Sequence, residues 1–179
     1  MAWPSISTNE GFPTSASTTS TTSSAVSLPE PFDFTLSTER FRAFGADLAN
    51  LWHEGGVHRV FGGTEVRIEE ALGGVRITPK RAELAGEVRH YLGGPFDLDS
   101  FYAFAETEPV LARIVPRLRG FRPPLAPDPY ETLVTSITAQ QISLRAAFAV
   151  RNRFIQAFGV RAQAAYAFPT TERVALAEP

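Results

Sequence analysis

Residues 126–159 read APDPYETLVTSITAQQISLRAAFAVRNRFIQAFG, and the fold is decided here. Asp128 is a good N-cap, and Pro129 suits a first helical turn, where no N–H is needed. Tyr130, Leu133, Val134 and Ile137 then recur at helical spacing and predict one amphipathic helix. Ser143 is placed to cap a second helix, with Ala147, Val150, Phe154 and Phe158 on one face. Gly159 follows as a residue tolerant of the left-handed conformation that ends many helices. Between the two lies a polar corner, Ala139-Gln140-Gln141-Ile142-Ser143. Two adjacent glutamines put donors and acceptors on long uncharged arms, able to enter a nucleic-acid groove or simply to be solvated.

Working backwards, residues 121–129 hold four prolines and predict a stiff extended connector. Asp97 or Asp99 can cap a helix carrying Phe101, Tyr102 and Phe104. Thr107 with Pro109 can start another that carries Val110, Leu111, Ile114 and Leu118 and is kinked or shortened at Pro116. Residues 83–92 have Leu84, Val88, Tyr91 and Leu92 at helical spacing before Gly93-Gly94. Further upstream, residues 57–61, 64–71 and 75–78, punctuated by Gly62-Gly63 and Gly73-Gly74, predict a three-stranded antiparallel meander with that helix packed on one face. Residues 1–27, rich in Ser and Thr, offer little to bury and predict a disordered tail. The expected organisation is therefore a tail over 1–27, an α+β unit over 28–94 and a helical unit over 95–179.

Composition narrows the function classes. The chain of 179 residues is 44% hydrophobic, as a globular protein should be, and carries a formal net charge of −2. That balance excludes a polybasic binder driven by counterion release, but not DNA binding through local cations and helix N-termini. Arg113, Arg117, Arg119 and Arg122 before the corner, and Arg145, Arg151 and Arg153 after it, are the candidate cations; a solvated helix face is the alternative. With no cysteine there is no disulfide, thiolate metal site or cysteine nucleophile. His53, His58 and His90 lack the spacing of a ligand pair on one helix, so no metal is expected. No stretch is long and apolar enough to span a bilayer, the N-terminus lacks a secretory pattern, and a cytoplasmic protein with no membrane partner is expected.

The order D-P-Y-E-x-L-V-x-x-I-x-x-Q-Q-I-S followed by an Ala-rich helix ending in F-G resembles the DNA-3-methyladenine glycosylase II family, within the helix-hairpin-helix DNA glycosylase superfamily. Pro31-Phe32-Asp33-Phe34 looks like the opening strand of that family's N-terminal domain. Phe168-Pro169-Thr170 and residues 175–179 look like its F-P-T connector. Ala139 stands where many members carry Gly. The resemblance implies an α+β fold, a sheet with packed helix similar to one TATA-binding-protein repeat, followed by the first part of an all-α glycosylase domain.

It also implies a function: excision of alkylated purines such as 3-methyladenine by hydrolysis of the N-glycosidic bond, after the damaged nucleotide leaves the duplex. The implied partner is double-stranded DNA with a damaged base, bound by a monomer; no cofactor is expected on these 179 residues, and the iron-sulfur cluster that related glycosylases hold near their C-terminus stays open. Gln141 takes the position of the wedge inserted into the minor groove, with Gln140 and Ser143 shaping the turn. Phe41 is a candidate wall of the base pocket; alternatively Phe41 and Phe44 are core residues. In the family the glycine-rich hairpin and the catalytic aspartate follow the F-P-T connector, so no catalytic residue is assigned in these 179. The chain is expected to be the inactive N-terminal part of a longer enzyme, its helices partly uncovered. A lyase would need a lysine ahead of that aspartate, and the single lysine, Lys80, is in the other half. A non-catalytic DNA-binding relic and an unrelated interaction module are the alternatives.

Overall fold

The computed structural model describes residues 22–177. Five strands, β1 (Ser24–Ser27), β2 (Leu51–His53), β3 (Gly56–Phe61), β4 (Thr64–Ala71) and β5 (Gly74–Thr78), form one antiparallel sheet in the order β1-β5-β4-β3-β2. The meander read from the sequence is its centre. Gly62 and Gly63 lie at φ 51° and 80°, the two positive values a tight two-residue hairpin needs for its twist to match that of the strands. Register then places Val57 opposite Ile68, Ile68 opposite Ile77 and Val75 opposite Val26, so these apolar side chains gather on one face, which Arg59 shares. A side chain of this kind contributes about 1.5–3 kcal/mol on full burial.

Two expectations at the N-terminus are corrected. Pro31-Phe32-Asp33-Phe34 is not a strand: the Asp33 carboxylate accepts from the Leu36 N–H at 2.8 Å and caps a short helix, α1 (Phe34–Thr38), followed by α2 (Arg40–Ala43). The opening strand lies earlier, within the segment read as tail, because Ser24–Ser27 takes its order from the exposed edge of β5. Residues 1–21, the rest of that tail, lie outside the described residues. Phe44 is exposed, 49%, and is not a core residue.

Helix α3 (Ala85–Tyr91), entered through a 3-10 turn at Ala82–Leu84, covers the apolar face with Leu84, Val88, Tyr91 and Leu92. The chain then becomes helical. Asp97 accepts from the Ser100 N–H and caps α4 (Leu98–Thr107); Thr107 ends this helix and does not start the next. Helix α5 (Leu111–Ile114) tightens into a 3-10 turn, Val115–Leu118, at Pro116. The connector over 119–128 is held by Arg122, which is buried and donates to the carbonyls of Pro31, Gly93 and Phe96 at 3.2, 3.1 and 2.7 Å. Its burial lowers its pKa.

The two helices of the decisive stretch are α6 (Pro129–Thr138), capped by Asp128, and α7 (Leu144–Phe158), capped by Ser143. A hairpin of β6 (Val160–Arg161) and β7 (Tyr166–Ala167) follows, then α8 (Thr171–Ala175). Gly159 is not left-handed, with φ −78°. It is required for space: a Cβ there would meet the carbonyl oxygens of Ile155 at 2.5 Å and Ala167 at 2.6 Å. The inward face of α7 is Ala147, Arg151 and Ile155, one helical row, while Val150 is exposed. On α6 the apolar residues Leu133 and Ile137 are 58% and 57% exposed, the uncovered face anticipated from the sequence.

Candidate functional site

The corner between α6 and α7 brings Gln140, Gln141 and Ser143 onto one exposed turn. Ala139 closes α6 at φ −97°, ψ −4°, with its N–H on the carbonyls of Ile137 and Thr135. This conformation suits any residue, so the Gly found in many sequences of the resembled family is not needed here. The chain reverses one position later. Gln141 has φ 57°, one of two described non-glycine residues with positive φ. A left-handed L-residue of this kind costs about 1–2 kcal/mol, so the turn persists because its surroundings hold it. Ser143 then returns to extended backbone and accepts from the Ala146 N–H at 3.3 Å.

Behind the corner a cavity of about 340 Å³ opens between the sheet half and the two helices. Phe41 and Tyr91 form one wall, their rings stacked at 6.0 Å with planes 13° apart; Leu144 and Phe148 of α7 line it as well. Phe41 is therefore both a core residue, 5% exposed, and a cavity wall. Arg40, exposed, lines the cavity too, with its guanidinium 5.7 Å from the Phe41 ring.

The polar side of the cavity is a buried ionic network. Arg151 donates from Nε to Asp47 at 3.1 Å, from one terminal nitrogen to Thr135 Oγ1 at 2.5 Å and from the other to Glu131 Oε1 at 2.7 Å. Glu131 in turn accepts from Arg59 at 2.5 Å. Arg59 also donates to Asn50 Oδ1, which accepts from the Tyr91 hydroxyl at 3.1 Å. Two arginines and two carboxylates sum to zero charge, so every buried ion has opposite partners that offset part of its desolvation cost. Burial lowers the pKa of Arg59, but Glu131, Tyr91 and Asp47 outweigh it and the net direction is up; burial raises Tyr91 far above its ordinary value. Both carboxylates of the cavity are thus committed to fixed donors.

Loop 46–50 joins this network to both halves. Leu48 N–H donates to Asn152 Oδ1, Asn152 donates to the Ala46 carbonyl at 2.7 Å, and Tyr166 N–H donates to the Leu48 carbonyl at 2.8 Å. A second clamp lies in the β6–β7 turn that follows α7. Buried Glu65 on β4 accepts from the backbone N–H groups of Gln163, Ala164 and Ala165, and pairs with His58 Nδ1 at 2.8 Å. Burial would raise the Glu65 pKa, but His58 and the three backbone donors outweigh it and hold it below the ordinary value.

Of the candidate cations, Arg122 and Arg151 are buried and internally satisfied, neither solvated nor available to a phosphate. Arg113, Arg117, Arg119, Arg145 and Arg153 are exposed. His53 and His58 do meet, rings 5.5 Å apart across the β2–β3 hairpin, yet no group of three metal-binding side chains occurs among the described residues. Lys80 is exposed at the end of β5, in the sheet half. Sequence reasoning missed Asp47, Asn50, Arg59, Tyr91 and Glu131 as a unit. The available signal was positional: Arg59 shares the strand face of Val57 and Phe61, and Arg151 lies between Ala147 and Ile155 at helical spacing.

Comparison with known proteins adds the following. No family model matches the chain. It is 30% identical over 104 residues to the DNA-3-methyladenine glycosylase of Bacillus subtilis (strain 168), covering 56% of this chain and 34% of the relative. The fold is similar to that of the 8-oxoguanine glycosylase/lyase of Clostridium acetobutylicum in its apo form, with TM-score 0.63, 18% identity, and coverage of 82% of this chain and 52% of that one. MBOgg1 in complex with a low affinity DNA ligand is similar too, with TM-score 0.65, 18% identity, and coverage of 82% and 51%. The chain thus spans about one third of the curated relative and about half of these solved structures.

Proposed function

We propose, from a chain that resembles the DNA-3-methyladenine glycosylase II family in sequence and shares the fold of helix-hairpin-helix superfamily glycosylases over about half their length, that this protein serves base-excision repair. Its part is recognition of double-stranded DNA at a damaged base. The single observation that carries the reading is Gln141: an exposed residue with a long uncharged side chain, kept at φ 57° at the tip of a helix-turn-helix elbow. Such an arm fills the gap left when a nucleotide rotates out of the stack, its amide satisfying exposed base edges. Gln140 and Ser143 shape the turn.

The substrate we propose is an alkylated purine such as 3-methyladenine, rotated toward the cavity bounded by Phe41. A cationic methylated base is drawn to aromatic faces and is a good leaving group, and its loss leaves an oxocarbenium-like sugar in need of a nearby carboxylate. Asp47 and Glu131, the carboxylates of this cavity, are neutralised by Arg151 and Arg59 and are not assigned that role. The described residues therefore recognise the lesion, and the acid that assists cleavage is not among them. Arg40 favours a second reading of the substrate. Its exposed guanidinium stands at the cavity beside two carboxylates already paired with Arg59 and Arg151, so it can donate to the carbonyl of a neutral lesion such as 8-oxoguanine and disfavours a cationic base. Parallel titrations with duplexes bearing each type of base separate the two.

The test of the elbow is Gln141→Ala, with binding followed by fluorescence anisotropy on a duplex containing a tetrahydrofuran abasic analogue and on the same duplex intact. Loss of a gap-filling contact weakens the abasic complex by about tenfold, the scale of one stacking interaction, and leaves the intact duplex nearly unchanged. Equal losses on both duplexes remove the wedge role.

A further inference from the structure

We propose that Arg151 is a positioning residue for the glutamine elbow: by bridging α6, α7 and loop 46–50 it sets the angle at which Gln141 is presented. The proposal rests on the elbow reading above and names what controls it. Arg151 is 6% exposed in the middle of α7. Its terminal nitrogens grip α6 at two points one turn apart, Glu131 and Thr135, while Nε holds Asp47. The guanidinium is planar, so three acceptors on two elements fix its orientation, and with it the relation of the two helices. Its ring neighbour, Phe168, lies 4.9 Å away and closes the remaining face.

The lever arm follows from helix geometry. Arg151 is seven residues beyond Leu144, and Glu131 is a similar distance before the end of α6. At 1.5 Å per residue the brace is about 10 Å from the corner, so a small change in helix angle there becomes a displacement of the tip. Only Ala139 to Ser143 separate the arms. A turn this short cannot absorb a new angle without releasing the left-handed conformation at Gln141. The brace is also tied to the sheet, since Glu131 shares its carboxylate with Arg59 of β3. Corner, cavity wall and sheet are thus linked through one set of buried ion pairs.

A role in bulk stability alone predicts a different outcome from a role in presentation. The experiment measures, for the 179-residue chain, the ratio of Kd on intact duplex to Kd on the tetrahydrofuran duplex. It compares wild type, Arg151→Lys, Thr135→Val, Gln141→Ala and the doubles Arg151→Lys/Gln141→Ala and Thr135→Val/Gln141→Ala. Thr135→Val keeps every charge paired and removes one of the two grips on α6, so it serves if the Arg151 variant does not give the wild-type far-UV circular dichroism. Wild type is expected to favour the abasic duplex by about tenfold, and Arg151→Lys to lose most of that preference while binding intact duplex normally. In either double, Gln141→Ala then costs little more, because the tip it removes is already misdirected. Folded variants that keep the wild-type ratio, or in which Gln141→Ala retains its full effect, overturn the brace alone. A wild-type ratio near one overturns the elbow reading itself, and the brace with it.

Discussion

Replacing Glu65 probes whether the β6–β7 turn beyond α7 is fixed to the sheet, and the structure supplies the magnitude. One carboxylate oxygen accepts from Gln163, Ala164 and Ala165 N–H at 2.7, 3.0 and 3.1 Å, and the other from His58 Nδ1 at 2.8 Å. Hydrogen bonds to a charged group contribute about 1.5–3 kcal/mol each, against about 0.5–1.5 for neutral pairs. Gln163 is exposed and can recover a water; Ala165 is fully buried and cannot. Glu65→Gln keeps one oxygen for the three backbone donors but loses the charge and turns an NH2 toward His58, a cost of about 1–2 kcal/mol. Glu65→Ala leaves the buried donors without an acceptor and costs about 3–5 kcal/mol. The sign of the pH dependence follows from the lowered pKa. A carboxylate whose folded pKa lies below the unfolded value of 4.5 contributes stability that is fully present above that pH and is lost as pH falls through the folded pKa. The difference between wild type and Glu65→Gln should therefore shrink as the pH falls below about 4. Urea unfolding followed by circular dichroism at several pH values measures it. An unchanged midpoint for Glu65→Gln, or a difference that persists undiminished to pH 3, would refute the clamp.

Gln141→Gly should raise stability slightly, by about 0.5 kcal/mol, because relief of the left-handed strain outweighs the added flexibility of the unfolded chain, while Gln141→Val, β-branched at positive φ, should lower it by more than 1 kcal/mol or so; thermal melts of the pair decide whether the strain is real. Incubated with alkylated DNA, the 179-residue chain should release no 3-methyladenine, and chromatographic detection of the free base above background would show that a cavity carboxylate can after all assist cleavage.

Much of the frame was legible because it is encoded locally. Glycine pairs demand hairpins, and the register they impose carries Val57, Ile68 and Ile77 to one face whatever else the chain does. Asp97, Asp128 and Ser143 mark helix starts because a short side-chain oxygen beside a free N–H is a local event. The elbow was legible for the same reason, as two capped amphipathic segments with a polar break.

What escaped depends on partners distant in sequence. Ser24–Ser27 has no strand signal of its own and is ordered by β5; Asp33 turns its segment into a helix start where a strand was expected. Gly159 serves close packing against Ala167, a reason no single helix could disclose. Charge is the hardest to read: spacing can place Arg59 and Arg151 on inward faces, but nothing along the chain names the partners without which each of Arg59, Glu131 and Arg151 would be costly to bury. Only the tertiary fold, by bringing 47, 59, 131 and 151 within hydrogen-bond reach, makes their burial possible and turns them into the frame behind the glutamine corner. The sequence by itself determined where the chain bends and which side chains stand at the bend. The tertiary structure decided how that bend is held, because mutual neutralisation of buried charges exists only once all four have met.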